Sequence, residues 1–400
     1  MASNCSWLIF LFMNSSKRIF PVLPPATLAI LGGGQLGRYF VIAAHELGYP
    51  VWVLDPDKES PAGRIANKHL AAPYDDPQAL AAVIENCALV TTEFENVPAA
   101  VLRQLQEYLP VHPNAAAVSI CQNRALEKAF LQEHHLPHGP FAKIQTVEDI
   151  LAAPATLFPG ILKTACNGYD GKGQIRVENH EAARQAFQTL GGDVCVLEKM
   201  LKLDTELSVV LARGVSGDLA VYSPAENQHQ NGILDLTRAP AGVSIELQNS
   251  AQRFAKQIAS DLNYIGVMAV EFFVCDNQLY VNEIAPRPHN SGHHTLDACH
   301  ASQYEQQVRA VCGLTLAQTT QHTPAVMVNI LGDVWFSNGH LRAPNWATLL
   351  ALPGLKLHLY GKTEPKPGRK MGHFTVTHHD ADEALRIAQQ AREILGISFA

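Results

Sequence analysis

The run Gly168-Tyr169-Asp170-Gly171-Lys172-Gly173-Gln174 follows an apolar strand pattern, Gly160-Ile161-Leu162-Lys163, and constrains the fold more than any other stretch. Three glycines this close do not sustain a regular element, and they present successive backbone N–H groups that can approach an anion. Two readings stay open. One is a flap over polyphosphate, loose without nucleotide and ordered over it, with Lys163 and Lys172 adding charge. The other is a solvated hairpin tip, and the choice rests on residues further along the chain.

With 400 residues, 47% of them hydrophobic, the chain can build two or three domains with cores of their own. A formal charge of −7 argues against a general nucleic-acid binder, so any anion must be captured locally. The eight cysteines form no C-x-x-C pair and sit in apparent core segments, which suits a reducing cytosol better than a disulfide framework or a zinc site. The apolar stretch from Trp7 to Met13 is too short to span a bilayer, and Lys17-Arg18 follow it instead of preceding it. Neither a secretory signal nor a membrane partner is expected. Residues 1–26 are read as a poorly ordered extension, of the kind an upstream start codon would add.

Four segments follow. Residues 27–124 alternate strand and helix signals, with strands at 27–31, 51–54 and 88–92, which predicts a βαβ domain on a parallel sheet. Residues 125–205 change to a small α+β pattern. Residues 206–325 carry longer strands in antiparallel style, and 326–400 carry short strands, a Pro-Gly-rich loop and a closing helix over 381–395.

Gly32-Gly33-Gly34-Gln35-Leu36-Gly37 fits G-x-G-x-x-G between a strand and a helix, and Asp55 ends the next strand. A dinucleotide site, a seat for a substrate phosphate and a bare structural turn all fit. Nothing later in the chain supplies a hydride-transfer site, so NAD is not expected. Glu198-Lys199-Met200-Leu201 ends a strand beside a linker, with Glu206 beyond it. Backbone groups there can read an adenine edge and Glu206 can accept ribose hydroxyls, or the segment is a solvated hinge.

A hairpin turning at Asp276-Asn277 sets Glu271 opposite Asn282 or Glu283. Like charges so placed destabilise a sheet unless a cation lies between them, and two carboxylates with an asparagine suit one or two Mg²⁺ ions. Surface carboxylates on an edge strand are the plainer alternative. The polar loop Pro286-Arg287-Pro288-His289-Asn290-Ser291-Gly292-His293 is not helical enough to pair its histidines on a metal, and oxyanion or substrate contacts use it better. His229 stands in a similar loop. Between Tyr360 and His373, four cations gather at Lys362, Lys366, Arg369 and Lys370, either as a phosphate clamp or as a solvated loop.

A lysine strand, a glycine-rich flap, a Glu-Lys linker with Glu206 and a Glu271…Asn282-Glu283 hairpin, in that order, resemble the ATP-grasp superfamily. Within it, Thr92-Glu93-Phe94-Glu95-Asn96-Val97, the flap, Ala225-Glu226-Asn227-Gln228-His229, the Asn282 to His293 loop and Pro367-Gly368-Arg369-Lys370-Met371-Gly372-His373 resemble the 5-(carboxyamino)imidazole ribonucleotide synthases. The resemblance spans residues 27–397. It implies an ATP-grasp fold behind a Rossmann-like pre-ATP-grasp domain at 27–124. A lid subdomain at 125–205, a metal subdomain at 206–325 and a small β-rich C-terminal domain at 326–400 complete it. It implies a cytoplasmic homodimer that spends ATP to carboxylate 5-aminoimidazole ribonucleotide with bicarbonate through carboxyphosphate, using no biotin. By similarity, Arg124, Lys163, His229, Asn282, Glu283 and the flap residues Gly168, Tyr169, Asp170, Gly171, Lys172, Gly173 and Gln174 hold ATP. Glu198 with Lys199, Met200 and Leu201 reads adenine, and Glu206 holds the ribose. Tyr169, Asp170, His289 and Lys362 serve bicarbonate or the amine, and Gln35, Leu36, Glu93, Arg287, Lys362 and Arg369 serve the ribonucleotide. Two other classes share parts of this logic. A formate-dependent glycinamide ribonucleotide transformylase differs in its acceptor amine, and a non-catalytic adenine-nucleotide sensor would not need Lys163, Glu271 and Glu283 together.

Overall fold

The computed structural model describes residues 20–166, 168, 173–337 and 339–398. Strands β1 (Leu28–Leu31), β2 (Val51–Leu54), β3 (Lys68–Leu70) and β4 (Leu89–Thr92) form a parallel sheet in the order β3-β2-β1-β4. All of β1 is buried, as a strand covered on both faces must be. Leu28 and Ile30 point to one layer with Phe40 of helix α1 (Gln35–Glu46), while Ala29 and Leu31 pack with Leu80, Leu102 and Leu105 on the other face. The βαβ expectation for this segment therefore holds. Residues 20–26 differ from the expected loose extension. The Val22 N–H donates to the Cys312 carbonyl at 2.8 Å, and the Tyr49 hydroxyl donates to the Val22 carbonyl at 2.8 Å.

Helix α2 (Arg124–Glu133) starts at Asn123, whose side chain accepts from the amides of Ala125 and Leu126. It leads into a second, antiparallel sheet of β5 (Phe141–Ile144), β6 (Gly160–Thr164), β7 (Gln174–Val177) and β8 (Cys195–Lys199), ordered β5-β8-β6-β7. The helices Val147–Ala152 and His180–Thr189 cover one face, around Ile150, Leu162, Phe187 and Leu197.

The largest sheet takes in β9 (Thr205–Arg213), β10 (Leu219–Val221), β11 (Ala225–Gln230), β12 (Ile233–Ala239), β13 (Gly266–Cys275), β14 (Gln278–Ala285) and β15 (Ala325–Leu331). After a small ribbon of β16 (Phe336–Ser337) and β17 (His340–Leu341), the strands β18 (Leu355–Leu359) and β19 (Lys370–Thr377) complete it. Its order is β14-β13-β9-β11-β12-β15-β19-β18, with β10 on β9. The segment from 326 has its own core, in which Val328, Ile330 and Phe374 pack under the closing helix Ala381–Leu395. It has no separate main sheet, however, because β12 pairs directly with β15 through Leu236 and Val328. The helix Gln303–Cys312 sends Tyr304, Val308 and Val311 into the core around Phe40 of α1, which ties the first sheet to the largest one. Among the described residues no helix is long and apolar enough to cross a membrane.

Candidate active site

The β13–β14 hairpin turns at Asp276 and Asn277, both with positive φ, as a tight two-residue connection requires. From there Phe273 pairs with Tyr280 and Phe272 with Val281. A regular ladder would next set Glu271 opposite Asn282. Instead the register shifts, Asn282 is the extra residue of a bulge, and Glu271 faces Glu283. Asn282 Nδ2 donates to Glu271 Oε2 at 3.4 Å. Burial first, and then the charge of Glu283, push the Glu271 carboxyl up to about 7. Two facing carboxylates with an amide oxygen beside them form a hard donor set that needs a cation, and Mg²⁺ fits it provided phosphate oxygens complete its shell. Among the described residues no group of three or more His, Cys, Asp and Glu side chains is arranged to hold a metal unaided.

Opposite this pair lie three cations around one carboxylate. Glu198 Oε1 is 3.2 Å from Lys163 Nζ and 3.7 Å from Arg124 Nη1, while Glu198 Oε2 is 3.4 Å from Lys128 Nζ. Burial disfavours the charged form of Glu198, but Lys128, Lys163 and Arg124 outweigh it and hold the group down to about 2. Arg124 Nη2 also reaches to 3.7 Å from Glu283 Oε2, which joins the cations to the hairpin. Burial lowers the Lys163 amine, and Glu198 offsets this in part. The Glu198 side chain is thus engaged within the protein. The Glu198 carboxylate serves as counterion, and the amides of Lys199 and Met200 donate to the carbonyls of Pro140 and Pro159, both at 3.0 Å.

Glu206 on β9 places Oε2 2.8 Å from His229 Nδ1. Burial works against protonation of His229, yet Glu206 and Glu271 raise its value above the ordinary one. The His289 loop is locked by Gln303, which accepts from the His289 N–H at 2.8 Å and donates to its carbonyl at 2.7 Å. The Ser291 N–H donates to His289 Nδ1 at 3.3 Å, so in the neutral ring Nε2 carries the proton, 3.5 Å from Glu271 Oε1. Arg287 forms a partly buried ion pair with Glu95. Gly168, Gly173 and Gln174 border the same space, whereas Tyr169, Asp170, Gly171 and Lys172 lie outside the described residues.

At the first glycine turn the protein supplies carboxylates of its own. Glu93 Oε1 accepts from the Gly34 N–H at 2.7 Å and Oε2 from the Gly37 N–H at 2.8 Å, so a protein carboxylate already fills the start of α1. Asp55 is likewise turned inward, accepting from Gly33 N–H at 2.7 Å and from the Tyr74 hydroxyl at 2.9 Å. The Gly33, Gly34 and Gly37 amides and the Asp55 carboxylate are thus used within the protein, which removes the acidic partner a dinucleotide ribose would need. Gln35 faces away from it and accepts from Lys362 Nζ at 2.9 Å. Lys362 also donates to the Lys370 carbonyl at 2.7 Å, and Arg369 Nη1 to the Glu364 carbonyl at 2.9 Å, which shapes the cationic loop.

All these walls enclose one cleft of about 970 Å³, lined by Lys163, Arg124, Glu271, Glu283, Glu206, His229, His289, Gln35, Leu36, Glu93, Arg287, Lys362 and Arg369. Sequence reasoning missed Glu95, Glu127 and Lys128. The last two follow Arg124 at helical i+3 and i+4 spacing behind an Asn123 cap, a pattern that puts them with it on one face.

Three family models match the chain in succession. A ribonucleotide synthetase preATP-grasp domain covers residues 26–122, an ATP-grasp domain 129–304, and a phosphoribosylaminoimidazole carboxylase C-terminal domain 325–387. The N5-carboxyaminoimidazole ribonucleotide synthase of Bacillus subtilis is 40% identical, over 92% of this chain and 95% of its own length. That of Brucella melitensis is 40% identical over 88% and 96%. Among solved structures, an ADP complex of an N5-carboxyaminoimidazole ribonucleotide synthetase superposes with a TM-score of 0.88 at 39% identity, covering 95% of this chain and 99% of that one. The Aspergillus clavatus synthase, in complex with ADP and 5-aminoimidazole ribonucleotide, gives 0.84 at 29% identity, covering 93% and 98%. With this order of domains and this degree of identity along nearly its whole length, the chain belongs to the N5-carboxyaminoimidazole ribonucleotide synthase family of ATP-grasp ligases.

Proposed function

We propose that the cleft carries out the ATP-dependent carboxylation of 5-aminoimidazole ribonucleotide by bicarbonate, a step of purine biosynthesis. The observation that carries this is the pairing, in one cleft, of a two-carboxylate hairpin with Lys163 and Arg124 on one side and the cationic 362–370 loop on the other. One end suits a nucleoside triphosphate and the other a phosphate ester.

Bicarbonate carbon is a poor electrophile. Transfer of the γ-phosphoryl group to a bicarbonate oxygen makes carboxyphosphate and ADP; the ribonucleotide amine then attacks the carbon, the C–O bond to phosphate breaks, and the amine loses a proton. Lys163 and Arg124 hold phosphate oxygens during transfer. Glu271, Glu283 and Asn282 would hold Mg²⁺, which when bound neutralises charge on the phosphoryl group. Glu206 accepts ribose hydroxyls with His229 beside it, while Leu201 and the carbonyls of the linker read adenine. His289 and Lys362 face bicarbonate and the amine, with Tyr169 and Asp170 of the flap assigned to the same task by sequence. Gln35, Leu36, Arg287 and Arg369 take the ribonucleotide, whose phosphate sits at the cationic loop. Glu93 orders the turn beneath it. The protein works as a cytoplasmic homodimer, which sedimentation at working concentration tests. Incorporation of radiolabelled bicarbonate into the ribonucleotide, dependent on ATP, tests the reaction; label found only in free bicarbonate would refute it.

A further inference from the structure

Lys128 has no role in the reaction as described so far. It is 1% exposed on the inner face of α2, and the cleft is lined by its neighbours Arg124 and Lys163 but not by Lys128 itself. A buried ammonium is costly unless it is paired and hydrogen-bonded. Lys128 meets that demand with two groups from different sheets. Its Nζ is 3.4 Å from Glu198 Oε2 on β8, and it donates to the backbone carbonyl of Asn282 on β14 at 3.3 Å.

Asn282 is the residue that the β13–β14 ladder skips. The extra residue of a bulge is left out of the pairing, so its carbonyl must find a donor elsewhere. Lys128 supplies one. The bulge in turn decides the chemistry of the hairpin, because the regular register would set Glu271 against Asn282. A one-residue slip would also send Glu283 to the opposite face of the sheet. A second buried contact secures the same place from the same helix: the Ile284 N–H donates to Glu127 Oε2 at 3.1 Å.

We propose that Lys128 is a positioning residue for phosphoryl transfer. By pinning the bulge at Asn282 to Glu198, it holds the carboxylate pair and the cations Lys163 and Arg124 in one frame. Lys163 and Arg124 stand on the same Glu198 carboxylate, so loss of Lys128 frees the hairpin register and removes one of three counterions from Glu198 at once.

The inference rests on the reading of this cleft as a phosphoryl-transfer site, and the experiment separates the two. Hydrogen exchange is measured on protein without metal or nucleotide, alongside steady-state kinetics. In Lys128→Met, exchange across 280–285 should speed up about tenfold or more while β15 and β19 keep their parental rates. The same variant should lose roughly 10- to 100-fold in kcat, the range found when groups that orient a metal's ligands are removed. Its KM for aminoimidazole ribonucleotide should move less than about threefold, since that substrate is held elsewhere. Lys128→Arg, which keeps charge and donors, should recover much of kcat. Parental exchange at 280–285, or an increase shared equally by β15 and β19, would overturn the role of Lys128 whatever the reaction. If Lys128→Met does not fold, the same exchange comparison on Lys128→Gln decides by the same criteria. An inactive parent protein would instead refute the reading of the cleft.

Discussion

Lys163 and Glu198 stand 3.2 Å apart because β6 and β8 run antiparallel with Lys163 opposite Val196, which leaves Glu198 two residues along on the same face. The pair gives the cleft a cation that is oriented before any phosphate arrives. Removing the carboxylate takes from Lys163 and Lys128 their carboxylate partner and leaves Arg124 with Glu283 alone. In Glu198→Gln the KM for ATP should therefore rise about tenfold or more, as expected for loss of a charge-assisted contact. Steady-state kinetics at saturating bicarbonate check this, and an unchanged KM would remove Glu198 from the nucleotide site.

The same group makes a pH prediction. In the folded protein Glu198 titrates at about 2, against an ordinary 4.5. A depressed carboxylate contributes stability that is fully present above the unfolded value and is lost as pH falls through the folded one. The contribution is on the order of 3 kcal/mol, and it should disappear between about pH 4.5 and 2. Urea unfolding at stepped pH should show a shallower acid limb for Glu198→Gln than for the parent.

Glu283→Gln keeps the shape of the hairpin but removes the carboxylate that faces Glu271, leaving one of the pair. Turnover at saturating Mg²⁺ should fall by about a hundredfold or more, the scale of losing one preorganised electrostatic contact. Near-parental turnover would show that the pair does not act on the phosphoryl group.

Much of this site was legible in the chain because its parts are local. The strand before Gly168, the tight turn at Asp276-Asn277 and the loop after Asn282 each declare themselves within ten or so residues. The bulge was not legible: a loop of two or three residues leaves either Asn282 or Glu283 opposite Glu271, and a lysine from α2 takes part in the choice. The occupant of the first glycine turn was hidden for a similar reason. Glu93 directly follows β4, far along the chain from Gly34, and only the parallel order β2-β1-β4 brings them together. The pairing of β12 with β15, which joins the C-terminal strands to the largest sheet, was not legible either, because strand pairing leaves no mark on hydrophobic periodicity.

Glu93 gives a prediction about stability. Its carboxylate satisfies two amides at the start of α1, and Glu93→Ala leaves both without that partner. The loss should be about 1–3 kcal/mol by chemical unfolding, the cost of unsatisfied buried donors. A variant as stable as the parent would mean that water or another group replaces it readily.

Arg369→Ala should raise the KM for aminoimidazole ribonucleotide by roughly tenfold or more, and that for ATP far less, since one charge-assisted phosphate contact contributes about 1.5–3 kcal/mol. The reverse pattern would assign the cationic loop to the nucleotide.

The most direct test of the whole account is ADP release, measured with aminoimidazole ribonucleotide and bicarbonate each supplied or withheld. Full turnover is predicted only with both present, one ADP for each N-carboxylated ribonucleotide. ADP formed at the same rate without the ribonucleotide, or none formed with everything present, would contradict it.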